Sequence, residues 1–223
     1  MNPNPIILLH PNIPKPLHGL NPRTLLGQEW WDRVRKEAYA KHDYRCHACG
    51  VHKSKAKYHR WLEAHEIYRY DFATGRAEMV EIVALCHSCH NFIHDGRMQE
   101  IVKAGDLNFT VKKYLDILER GNRLIELHLK TCQGWREGGS MHPEGNRWKH
   151  PFQPTQPFQR VFPLVNVPEL EAICEETAGW SDWHLIVAGM KFHSQFKDES
   201  EWAAHYGALN AKKSVSLSGV FKW

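Results

Sequence analysis

Apolar and polar positions along this chain fall into blocks whose period changes from one block to the next. EWWDRVRKEAYAKH (29–42) sets Trp30, Val34 and Ala38 four apart with Trp31 beside them, the stripe of an amphipathic helix. WLEAHEIYRY (61–70) and EMVEIVAL (78–85) are rich in bulky, β-prone side chains, and DFATGR between them supplies a turn, so this stretch predicts a hairpin. After Cys89, HNFIHDGRMQEIV has no turn residue until Gly96, which predicts a short helix there. FTVKKYLDILERGNRLIELHLKTC (109–132) carries apolar residues at 111, 114, 115, 118, 124, 125, 127 and 129, the pattern of one or two helices around Gly121.

Punctuation between the blocks divides the rest. Six of the first 22 residues are proline, so residues 1–28 are expected to form an extended arm lying on the surface rather than a packed element. Residues 133–160, rich in Gly, Pro and Gln, read as a linker. From Val161 to Trp223 the pattern suggests a strand, a helix over PELEAICEET, a strand around WHLIVAGMKF and a short helix over ESEWAAHYG. The expected order is therefore arm (1–28), a central domain (29–100), a helical extension (101–132), linker (133–160) and a C-terminal subdomain (161–223).

Composition adds little until it is divided. The 223 residues are 42% hydrophobic and 24% charged, ordinary for a globular protein. The one apolar run near the start, Ile6 to Leu9, has no basic flank, and no stretch approaches a membrane span, so a cytoplasmic protein without membrane association is expected. The net charge of +4 hides an asymmetry: residues 1–160 hold 24 Lys+Arg against 17 Asp+Glu, and residues 161–223 hold 5 against 8. HKSKAKYHR (52–60) places Lys53, Lys55, Lys57 and Arg60 among aromatic and imidazole rings without an acid, a pattern that suits a nucleic-acid backbone or a solvated loop. The acidic, tryptophan-rich end, with Trp180, Trp183 and Trp202, is expected to shape access to a site or dock a protein partner.

Cysteine spacing carries the first chemistry. Cys46 and Cys49 form one C-x-x-C pair and Cys86 and Cys89 another; two such pairs, with no secretory signal, read as a four-thiolate structural zinc site. Cys132 and Cys174 read as ordinary buried residues. Histidine carries the second. His90 and His94 are four apart, hence on one face of a helix, and His65 lies on the facing strand, so the three can hold one further ion.

CxxCG (46–50), LEAHEI (62–67) and LCHSCHNFIH (85–94) resemble the HNH endonuclease family in its zinc-stabilised form, over about residues 44–96. The resemblance implies a ββα-metal zinc-knuckle core; together with the flanking helices and the small C-terminal α+β subdomain read from the pattern above, the expected fold class is α+β. It implies structural Zn2+ on the four cysteines and hydrolysis of a DNA phosphodiester, with RNA left open, using one divalent cation such as Mg2+, Mn2+, Ni2+ or Zn2+. Carried over residue by residue, it makes His65, His90 and His94 the ligands of that cation. It puts Glu66 at the family's histidine base and Glu81 at its asparagine. Arg69, Arg97 and the Lys53–Arg60 run become phosphate contacts.

Two letters of the motif are thus altered. A carboxylate can deprotonate metal-acidified water, though an ordinary Glu near 4.3 is a weaker base than a His near 6.5. Adjacent strand residues face opposite ways, so a straight strand would pair His65 with Glu63 rather than with Glu66, leaving His65 itself as a possible base; His59 and His87 also lie close in sequence. The alternative function is a catalytically impaired HNH-derived domain that binds nucleic acid or a protein partner without cutting.

Overall fold

The structure, a computed structural model, describes residues 2–106, 109–131 and 178–218. It is α+β, and its chain divides into two compact units, one built from Met1–Pro11, Glu29–Ile67 and Val80–Glu175 and the other from Asn12–Gln28, Tyr68–Met79 and Glu176–Trp223. In chain order the elements are helix α1 (Pro22–Lys41), strands β1 (Leu62–Asp71) and β2 (Arg76–Cys86), helices α2 (His87–Ile93), α3 (Asp95–Lys103) and α4 (Val111–Thr131), strands β3 (His184–Val187) and β4 (Met190–His193), and helix α5 (Glu199–Ser218). The strands form one mixed sheet in the order β1-β2-β3-β4, with β2 parallel to β3 and β3 antiparallel to β4.

The first unit buries Leu8, Val83, Ala84, Leu85, Phe92, Ile93, Met98, Ile117 and Ile125 around the four cysteines. Leu8 overturns the expected surface arm: Pro5–Leu9 is a short 3-10 helix whose Ile7 and Leu8 are buried in this core. Proline breaks an α-helix but suits the first turn of a 3-10 helix, so high proline content marks a rigid packed strap here, not a loose one. The strap is tied down by Asn4 N–H donating to His47 O at 2.8 Å.

The residues of α1 up to Gln28 fall in the second unit and those from Glu29 in the first. The helix bends at Gly27, whose φ of 85° and ψ of 164° no helical residue adopts, and the predicted helix at 29–42 is the part after that bend. Ala38 is buried while Trp30, Trp31 and Val34 are half-buried, so the expected stripe is present but shallow. Gly96 does not end a helix; the break falls at His94, with φ −90° and ψ 44°, and α3 runs on through Gly96. α4 is one unbroken helix through Gly121.

In the second unit, Leu17, Tyr68, Ala77, Leu185 and Val187 are buried, and Trp202 Nε1 donates to His18 Nδ1 at 3.1 Å. The single strand expected around 183–192 is two strands. Ala188 and Gly189 both have positive φ, 50° and 76°, the signature of a tight two-residue turn, and an Ala at the first position hides that turn from inspection. α5 is longer than the helix expected at ESEWAAHYG. Cys132, Cys174, the linker 133–160 and the helix over PELEAICEET lie outside the described residues.

Candidate functional site

The first cysteine pair sits on a tight knuckle after α1. Gly50 at φ 72° closes it, its N–H donating to Cys46 O at 2.8 Å, and Cys46 N–H donates to Val51 O at 2.9 Å. The second pair spans the junction where β2 runs into α2. His47 N–H donates to Ala84 O at 2.7 Å, which brings the knuckle beside that junction. All four sulfurs then lie within 4.8 Å of one another, with Cys49 Sγ and Cys86 Sγ 3.8 Å apart. Zinc–sulfur bonds in a tetrahedron would set sulfurs about 3.8 Å apart, so Cys46, Cys49, Cys86 and Cys89 fit a structural metal ion. Arg120 of α4 stands beside the set; burial works against its charge, while Cys49, Cys86 and Cys89 favour it.

The second candidate centre is built from β1 and α2. His65 from the strand meets His90 and His94 from the end of the helix, with ring centroids 5.5 Å and 5.1 Å away, and His90 and His94 are 4.6 Å apart. One ring nitrogen from each falls within 4.8 Å of the others. His65 is 4% exposed and neither of its ring nitrogens has a hydrogen-bond partner. An orphaned buried polar atom costs roughly 1–3 kcal/mol, so a buried imidazole with both nitrogens unpaired is what an ion-binding pocket looks like before its ion is considered. Burial, reinforced by His90, His94 and His10, lowers the His65 pKa to about 2; burial and the neighbouring His90 and Arg97 lower that of His94 to about 4. Both rings are held neutral, the form in which imidazole binds metal.

β1 runs as a strand from Leu62 to Asp71, so Glu63 and His65 share a face. The contacts agree: Glu63 Oε1 is 2.8 Å from His87 Nδ1, and its Oε2 is 2.5 Å from His90 Nδ1. Burial alone would raise the Glu63 pKa, but His87 and His90 hold it well below the usual carboxylate range. Glu63 therefore stays ionised against the Nδ1 side of His90, at ion-pair distance but without a hydrogen bond to that nitrogen. Glu66 is one residue out of phase and is not among the donors of the three-histidine group. Burial raises its pKa, with its own backbone N–H and His90 pulling the other way.

The remaining expected residues scatter. Glu81 pairs with Lys41 at 2.6 Å, as a solvated strand residue would. Lys57 pairs with Asp116, and Lys53 lies over the Tyr44 ring at 4.1 Å. Lys55, Arg60 and Arg97 are exposed in the first unit; Arg69 belongs to the second. His59 and His87 meet edge to face at 4.2 Å, outside the three-histidine group. His10, from the proline-rich strap, packs edge-on against His65 with centroids 5.5 Å apart. Sequence reasoning missed it; its one signal was a histidine closing the apolar run that Ile6 to Leu9 buries.

Fold and sites thus define an α+β protein with a cysteine cluster suited to a structural metal and a separate cluster of three histidines. Comparison with protein-family models, with curated proteins and with solved structures finds no match for this chain. Among the described residues, no helix is long and apolar enough to cross a membrane.

Proposed function

We propose that this chain is a metal-dependent endonuclease of the HNH type, hydrolysing DNA phosphodiester bonds at His65, His90 and His94. The observation that carries this reading is the unpartnered, neutral His65 converging with the two helix histidines beside a distinct four-cysteine set. A structural zinc domain needs the cysteines alone. A divalent cation on the three histidines would supply charge to polarise a scissile phosphate and acidify water. The chain's own part is to hold three imidazoles in one place, with the Glu63 carboxylate beside His90. Glu66, whose carboxylate is made more basic by burial, is the group assigned to accept the proton from water. Lys53, Lys55, Lys57, Arg60 and Arg97 are assigned to the phosphate backbone.

The experiment is cleavage of plasmid and single-stranded DNA by purified protein with Mg2+, Mn2+, Ni2+ or Zn2+. Cutting is expected to be ion-dependent and abolished in His65→Ala and His90→Ala. Glu66→Gln keeps DNA binding and slows cutting by roughly 10²–10⁴-fold. Unchanged cutting in Glu66→Gln removes it from the mechanism. The binding-module reading draws on Glu66 standing outside the donor group; it prevails if no ion supports cutting while salt-sensitive binding persists.

A further inference from the structure

Trp61, at the entrance to β1, is 55% exposed. Single exposed apolar side chains are common and need no explanation; the company this one keeps does. The His59 ring lies flat against the indole, with centroids 4.1 Å apart and 14° between the planes. His59 also meets His87 edge-to-face at 4.2 Å, His87 Nδ1 is 2.8 Å from Glu63, and Glu63 is 2.5 Å from His90. An unbroken series of side-chain contacts thus runs from the open indole to the three-histidine cluster, all within the first unit.

The surroundings are basic. Arg60 is exposed beside Trp61 in the chain, Tyr58 packs against His87 with centroids 5.9 Å apart, and Lys113 Nζ lies 4.8 Å over the Tyr58 ring. The acids nearby are engaged: Asp116 by Lys57 and by the Tyr58 hydroxyl, Glu63 by His87, and Asp106 in the field of Lys113. A rigid aromatic plate backed by an imidazole on one face, open on the other and flanked by cations is the arrangement that single-stranded nucleic acid recognises, bases stacking on the ring while cations neutralise phosphates. Duplex DNA satisfies the cations but not the plate, since its bases are already stacked on both faces.

We propose that the open face of Trp61 is a stacking site for one unpaired nucleobase, so that the site takes single-stranded or locally unwound nucleic acid in preference to intact duplex. This rests on the nuclease reading and narrows its substrate.

The test is fluorescence anisotropy of a labelled single-stranded oligonucleotide and of its duplex, titrated with the full chain at fixed salt in Ca2+ or without divalent ions. Thermal melting confirms that the variants fold as the parent does. A base–aromatic stack contributes roughly 5- to 150-fold in affinity, so Trp61→Ala weakens single-strand binding by at least about fivefold and leaves duplex binding unchanged. Trp61→Phe, which keeps a ring, retains most of the single-strand affinity. Equal loss on both forms, no loss on the single strand, or a Trp61→Phe loss as large as that of Trp61→Ala overturns the proposal. If the parent protein binds neither form, the nuclease reading itself falls; if it binds and cuts while Trp61→Ala changes nothing, only the stacking site does.

Discussion

Replacing Gly121 by alanine sets two physical effects of opposite sign against each other. The residue lies mid-helix in α4, where intrinsic propensity favours alanine over glycine by about 1 kcal/mol. The packing opposes it. A Cβ at this position would lie 2.1 Å from Phe92 Cδ2, 2.3 Å from Cε2 and 2.5 Å from Cγ, whereas carbon atoms rest at about 3.5–4.0 Å. Phe92 is wholly buried in α2, three residues after Cys89, so its ring has no route to solvent. Either the ring or the helix must shift by more than 1 Å in a core that also holds the cysteine cluster. Overpacking costs about 1–3 kcal/mol, more in rigid sites, and a contact this short belongs at or beyond the upper end. The net expectation is a loss of about 2 kcal/mol. Urea denaturation followed by far-ultraviolet circular dichroism, in excess zinc, measures it. Gly96→Ala in α3 is the control: no atom lies within 4 Å of a Cβ there, and the change should be neutral or slightly stabilising. A Gly121→Ala protein as stable as its parent refutes the reasoning.

Cys86→Ser should lower bound zinc by one equivalent per chain in a colorimetric metal assay and unfold the first unit; a variant that keeps its zinc and its melting temperature contradicts the four-cysteine site. Acid sensitivity is the other consequence. Because the folded pKa of His65 is depressed, the unfolded chain binds more protons below about 6.5. Stability without added divalent ion therefore falls as pH drops from 6.5, by about 1 kcal/mol between pH 6.5 and 5.5 from this residue alone, since the unfolded imidazole is only partly protonated there. His65→Asn should flatten the slope of urea stability between pH 6.5 and 5.5 by that amount, and identical slopes would exclude a neutral buried His65.

Much of the architecture was legible because the elements nearest the cysteines are locally determined. The C-x-x-C spacings, the turn at Asp71–Gly75 and the His90–His94 interval each need only neighbouring residues to be understood. The failures share another cause. Gly121 and Gly96 look alike as helix breakers, and only the Phe92 ring, brought up from 29 residues earlier in the chain, reveals why the former is glycine. The burial of Leu8 and the approach of His10 to His65 depend on contacts more than 50 residues apart in sequence, which no local period records. The phase of Glu63 and Glu66 along β1 was readable in principle from strand alternation, and the structure brings Glu63, not Glu66, against His90.

The cysteine cluster also has a consequence for the order of events at the ribosome. Its second pair is completed 40 residues after the first, at Cys89 against Cys49, and translation at about 5–20 residues per second leaves the first pair without its partner for about 2–8 s. During that interval Cys46 and Cys49 are an open dithiol at the edge of an unfinished core, whose Ile117 and Ile125 have yet to be made. An oxidant reaching the nascent chain then competes with a metal ion for the same two sulfurs, and the yield of folded protein becomes a race between metal supply and disulfide formation, decided before the chain is complete.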